Sequence, residues 1–185
     1  MKRILHLIFV LLIAFPTLIT AQKLDQSLFE SIKPRQIGPA GMSGRITSID
    51  VVCENPDHIL VGSASGGLWE SKNGGTTWKP LFDYQKALSI GAVKFNPHNP
   101  SEIWVGTGEG NPRNSQSSGY GIFKSLDGGK TWKHLGLENT RNIHRILINP
   151  LDPNIVYVGV QGSAWGAHPE RGVYKTSDGG ETWKK

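Results

Sequence analysis

The sequence predicts an all-β fold, a β-propeller of four-stranded blades, of which about three are present. Three observations predict it. An eight-residue motif occurs three times, as Ser71-Lys72-Asn73-Gly74-Gly75-Thr76-Thr77-Trp78, Ser125-Leu126-Asp127-Gly128-Gly129-Lys130-Thr131-Trp132 and Thr176-Ser177-Asp178-Gly179-Gly180-Glu181-Thr182-Trp183. Its third positions lie 54 and 51 residues apart, and a fixed period of that size marks a repeat architecture. Short apolar runs recur at the same offsets before each motif, and glycine is abundant at 23 of 185 residues, which suits many short strands joined by tight turns.

Each repeat resolves into four strands, A to D. In the second, A covers residues 90–95, B residues 103–106, C residues 121–125, and D begins at Thr131. Asn-Pro pairs (Asn55-Pro56, Asn96-Pro97, Asn149-Pro150) punctuate the A–B connections, and the motif forms the C–D turn. Its paired glycines, Gly75, Gly129 and Gly180 being the second of each pair, reverse the chain at positive φ. Asn73, Asp127 and Asp178 accept backbone N–H groups within the turn. Thr77, Thr131 and Thr182, then Trp78, Trp132 and Trp183, open strand D. These acids are therefore structural. The blades are expected at about 44–88, 89–142 and 143–185, within a partial propeller over 38–185 that follows a lead-in at 22–37. Three blades do not close a disc, so the chain is expected to belong to a longer protein.

Residues 1–21 have the layout of a secretory signal: Lys2 and Arg3, an apolar run over 4–19, then Thr20 and Ala21. The run is shorter than a membrane span requires. The mature chain is expected to be exported (periplasmic, cell-surface or secreted) with no span of its own. Without Lys2 and Arg3 the formal net charge falls from +5 to +3. The basic residues are scattered, which argues against nucleic acid as a partner. Cys53, the single cysteine, follows an apolar run and reads as a buried structural thiol. No metal-ligand spacing, phosphate loop or dinucleotide fingerprint occurs, so neither cofactor nor metal is predicted.

The S/T-x-D-G-G-x-T-W motif and the I-x-V-G strand resemble the BNR or Asp-box repeats of sialidases, xyloglucanases and sortilin-type propellers, and most of all bacterial exported proteins of the sortilin N-terminal-domain or glycosyl-hydrolase-like kind. The resemblance covers roughly residues 35–185 and includes the opening segment 37–45. It implies the fold and leaves function open, since such propellers host both hydrolases and binders. In xyloglucanases a catalytic Asp precedes a Gly-Gly after the first blade's B strand. Here Ser63-Ala64-Ser65-Gly66-Gly67 carries Ala64 at that place. A sialidase would bring an Arg-Ile-Pro motif ahead of its first box, whereas Arg45-Ile46-Thr47 lacks the proline.

Strand parity puts the A–B and C–D turns on one face of the disc and the B–C and D–A connections on the other. The long connections, 107–120 and 161–172, are both B–C loops, and extended loops on a rigid scaffold are where binding concentrates. The candidate ligand-binding residues there are Arg45, Glu109, Arg113, Tyr120, Arg141, His144, Trp165, His168 and Arg171. Glu109 and Glu170 are the weak catalytic candidates, since a glycoside hydrolase needs two carboxylates flanking the scissile bond. His58 and His98 fall on the opposite face by parity, and His134 reads as a surface residue. The expected function is binding of a protein, peptide or glycan through this loop face. The alternatives are a glycoside hydrolase completed by residues elsewhere and an assembly scaffold.

Overall fold

The computed structural model describes Asp25 and residues 45–111 and 114–185. The predicted signal, the guess that the 22–37 lead-in adds a strand to a closing blade, and most of the 37–45 opening lie outside the described residues. What is described is all-β, with three antiparallel sheets side by side as propeller blades. Blade 1 is β1 (Ile46–Val52), β2 (Asn55–Ser63), β3 (Leu68–Ser71) and β4 (Lys79–Pro80), paired in that order. Blade 2 repeats it with β5 (Ile90–Asn96), β6 (Asn99–Thr107), β7 (Ile122–Ser125) and β8 (Lys133–His134). Blade 3 has β9 (Ile143–Ile148), β10 (Val156–Val160) and β11 (Gly172–Thr176), with a Lys175–Lys184 bridge in the place of strand D. Strand D of blade 2 starts two residues later than predicted, because Thr131 is held within the turn by Asp127.

The motif turns work as their chemistry requires. Asp127 accepts the Thr131 N–H at 2.8 Å and the Thr131 hydroxyl at 2.6 Å. Asp178 does the same with Thr182 at 2.9 and 2.6 Å. Asn73 keeps the backbone bond at 2.9 Å but donates through its amide to the Thr77 hydroxyl. The first glycine N–H of each motif donates to a carbonyl at the A–B end of the same blade: Gly74 to Asp57, Gly128 to Ser101, Gly179 to Asn154. Boxes and A–B turns therefore share one face, as parity requires.

The core lies between blades rather than within them. Leu60, Leu68, Phe82 and Ile90 pack with Val93, Phe95, Ile103, Val105 and Phe123 between blades 1 and 2. Trp104, Ile122 and Leu135 pack with Ile143, Ile146, Val156, Val158 and Tyr174 between blades 2 and 3. The glycine that ends the I-x-V-G strand has a packing reason. A Cβ on Gly62 would sit 2.5 Å from the Ile90 side chain, and one on Gly106 would sit 2.4 Å from Ile143. Each glycine thus admits the first residue of the next blade's inner strand.

The indoles also reach across blades. Trp132 Nε1 donates to the Leu81 carbonyl at 2.9 Å and its ring meets Phe82 edge-on. Trp183 Nε1 donates to Leu135 and its ring meets Trp104. Each tryptophan thus staples its own blade to the preceding one. Cys53 corrects the sequence reading: it is exposed, because the chain reverses after Val52 and places the thiol at the tip of the β1–β2 turn rather than in the strand. His134 is a second correction. It lies in β8, half-buried, stacked on Tyr120 at 5.0 Å with Nε2 3.0 Å from the Tyr120 carbonyl.

Candidate functional site

The residues that lead into the three inner strands, Arg45, Ser89 and Asn142, occupy equivalent places, and each accepts at its carbonyl an N–H from its own blade's B–C loop: Ala64, Gly108 and Gln161. The long B–C loop of blade 2 is thereby drawn towards the inner strands. Its base is closed by Thr107, whose Oγ1 donates to Gly121 O at 2.6 Å and accepts the Tyr120 N–H at 2.6 Å. Gly108 must be glycine: its φ is +90°, and a Cβ would lie 1.9 Å from the Arg141 carbonyl.

This geometry buries Glu109 at the junction of three blades. Glu109 is 1% exposed and its carboxylate pairs with the half-buried Arg45 guanidinium of blade 1. Its backbone N–H donates to Ser89 Oγ at 3.0 Å. Its carbonyl accepts from Asn142 Nδ2 at 2.6 Å and from Gln116 Nε2 at 2.8 Å. A carboxylate taken out of water is tolerated when paired and fully bonded, and Arg45 supplies the charge. Two polar atoms beside it stay without a protein partner: Arg45 Nε and Asn142 Oδ1. Asn142 is itself 2% exposed. A buried amide oxygen with no donor is costly, and a water or ligand donor would satisfy it.

The other candidates are arranged around this junction or apart from it. His144 packs against Gly110 and leaves Nδ1 unpartnered. Burial, and then the charge of Arg145, push its pKa below the ordinary histidine value, so the ring stays neutral. Arg141 is exposed. Tyr120 is clamped by His134 beneath and by Lys86, whose Nζ lies 4.5 Å from the ring centre and 3.1 Å from the hydroxyl. In blade 3, Arg171 is spent on its own loop, donating to Gln161, Ser163 and Gly166 carbonyls. His168 lies against Gly162, and Trp165 is exposed. Glu170 accepts the Tyr174 hydroxyl at 2.6 Å, and burial together with that carboxylate pushes the tyrosine up to about 12. Arg113 lies outside the described residues.

Glu109 and Arg45 are thus brought together, while Glu170 is engaged with Tyr174 in another blade. Ser89 and Asn142 were missed by the sequence reading, which looked to the long loops, and Gln116 was passed over within one of them. Their signal was the repeat register, since Ser89 and Asn142 occupy the same pre-strand place as Arg45. Two exposed aromatic or cationic residues of the D–A link, Tyr84 and Lys86, were likewise passed over.

No protein-family model matches the chain. A probable oligoxyloglucan-reducing end-specific xyloglucanase of Neosartorya fischeri is 32% identical over 94 residues, 48% of this chain and 9% of its own length. The oligoxyloglucan-reducing end-specific xyloglucanase of Emericella nidulans is 29% identical over a stretch of the same length. The chain thus spans about a tenth of these relatives. Among solved structures, an ancestral GH74 enzyme superposes with a TM-score of 0.58 at 25% identity, over 80% of this chain and 19% of its own. The GH74 enzyme of Niastella koreensis gives 0.54 at 26%, over 75% and 21%. YCF48 from Cyanidioschyzon merolae shares the fold, with a TM-score of 0.51 at 24% identity over 79% of this chain and 38% of its own.

Proposed function

We propose that this chain forms part of an exported β-propeller that binds a glycan across the face carrying its B–C loops. The observation that carries the reading is the junction at Glu109, where the buried carboxylate pairs with the half-buried Arg45 guanidinium beside an Asn142 amide oxygen that has no protein partner. Exposed Tyr84 and Trp165 on the same face add aromatic surface of the kind that packs on sugar rings. The likeness to xyloglucanases supports a glycan over a peptide. Export rests on the pattern of residues 1–21.

Hydrolysis is the second reading, favoured by those relatives and by Glu109 as a buried carboxylate. Against it stands Ala64, itself buried, at the place where the resemblance expects the catalytic Asp. Glu170 accepts a hydrogen bond from Tyr174 and Glu138 lies 3.5 Å from His134 Nδ1, so among the described residues neither is paired with Glu109. The test is a panel of soluble polysaccharides, xyloglucan included, offered to the full chain with retention and product release followed together. Retention without new reducing ends, weakened at least tenfold by Glu109→Gln, is the expected result. Sustained turnover abolished by Glu109→Gln would replace binding with hydrolysis.

A further inference from the structure

Arg141 is a non-glycine residue at φ +60° and ψ −60°. The Asn142 N–H donates back to the Thr140 carbonyl at 2.7 Å, which makes Arg141 the centre of a γ-turn of the rare, strained kind. Such a conformation persists only where the surroundings impose it. They do so here. The Arg141 carbonyl accepts the Gly119 N–H at 2.6 Å and presses so closely on Gly108 that no side chain fits there. The strained residue is therefore locked to the B–C loop that holds Glu109, and it directly precedes Asn142, whose amide oxygen is buried and unpartnered. Its own guanidinium side chain is exposed and has no carboxylate partner among the described residues.

Arg145, three residues past Asn142, is also exposed, and its one hydrogen bond given by the structure is to the His144 carbonyl. Among the described residues, Glu109 is paired with Arg45, and Glu138 lies 3.5 Å from His134 Nδ1. A guanidinium with free donors is matched by a carboxylate, which takes two parallel N–H bonds.

We infer that Arg141 is a ligand-contacting residue that reads a carboxylate, and that the glycan bound at this face is acidic, a polyuronate rather than a neutral polymer. The inference rests on the glycan reading above. The strained turn fixes the Arg141 backbone directly before Asn142, and its exposed guanidinium is open to a carboxylate at this face.

The test compares polygalacturonate, its fully methyl-esterified form, neutral xyloglucan and poly-glutamate as ligands of the full chain and of Arg141→Gly. Glycine accepts positive φ without strain, so this variant should melt no lower than the parent. Polygalacturonate is expected to bind, and its affinity to fall at least tenfold both on Arg141→Gly and on esterification. Undiminished binding by Arg141→Gly, or equal binding of the esterified polymer, would overturn the inference while leaving the glycan reading intact. Binding of poly-glutamate alone, or of none of the four, would overturn both.

Discussion

The two faces of this molecule are built on opposite rules. On the box face, three turns of one chemistry repeat with hydrogen bonds that agree to within a few tenths of an ångström: Thr77, Thr131 and Thr182 each donate a backbone N–H to the motif's third residue at 2.8–2.9 Å. On the loop face the three B–C connections share the hydrogen bond to the residue before strand A and then diverge. Ser65, Glu109 and Gly162 occupy the next position in blades 1, 2 and 3. Repetition marks where the chain must solve the same folding problem three times. Divergence marks where one blade has been given something to do. Substitutions on the box face should therefore act on stability, and those on the loop face on ligand binding, with Glu109 the place where both are touched.

The largest effect expected is at the inter-blade tryptophans. Trp132→Ala removes an indole wedged against Phe82 and Leu81 and should cost about 3–5 kcal/mol in denaturant unfolding, leaving the loop-face site chemically unchanged. Trp78 is 42% exposed and has no preceding blade among the described residues, so Trp78→Ala in this chain should cost under about 1 kcal/mol. Equal costs at the two sites would show that the indole acts within its own turn rather than across blades.

Next comes the buried pair. Arg45→Met strands the Glu109 carboxylate and should destabilise by about 3 kcal/mol. Adding Glu109→Leu should recover most of that loss, because an apolar pair no longer needs a charge partner. Chemical denaturation of the two singles and the double measures the coupling. An additive double would mean that Arg45 and Glu109 do not depend on each other.

The smallest effect separates the boxes by pH. Hydrogen bonds from the Thr131 side chain and backbone hold Asp127 down at about 2. Those from the Thr176 and Thr182 side chains, with the Thr182 backbone, hold Asp178 lower still. Both folded values lie below the unfolded one near 4, so their stabilisation is present above about pH 4 and is lost as pH falls towards 2. Blade 1 carries Asn73 and contributes nothing to that slope. Asp127→Asn should therefore flatten the acid limb of the melting-temperature profile, and an unchanged limb would assign acid lability to other carboxylates.

Much of this fold was legible because its signals are local. The box glycines, the carboxylate or amide at the third position and the two-strand alternation are short-range demands, so three copies fixed blade number, strand order and, through parity, which face holds the long loops. Where a side chain's neighbours belong to another blade, sequence alone misled. Ile49 and Val93 hold equivalent places in β1 and β5, paired with Val61 and Val105, yet they are 61% and 4% exposed, because among the described residues only Val93 has a blade packed on that side. The tryptophans likewise bond the blade before their own. Cys53 read as core because the residues before it are apolar, and the turn that exposes it lies one step further on.

What the sequence by itself determined is the repeating unit and the separation of an architectural face from a variable one, since both follow from turn chemistry and the two-residue period of strands. Only the tertiary structure decided which variable residues meet. Arg45, Ser89, Glu109 and Asn142 span 98 positions of chain and converge because each blade's inner strand begins beside the next one's. Whether a carboxylate on a long loop is solvated or buried against a guanidinium 64 residues away depends on how three sheets stack, and no local preference encodes that.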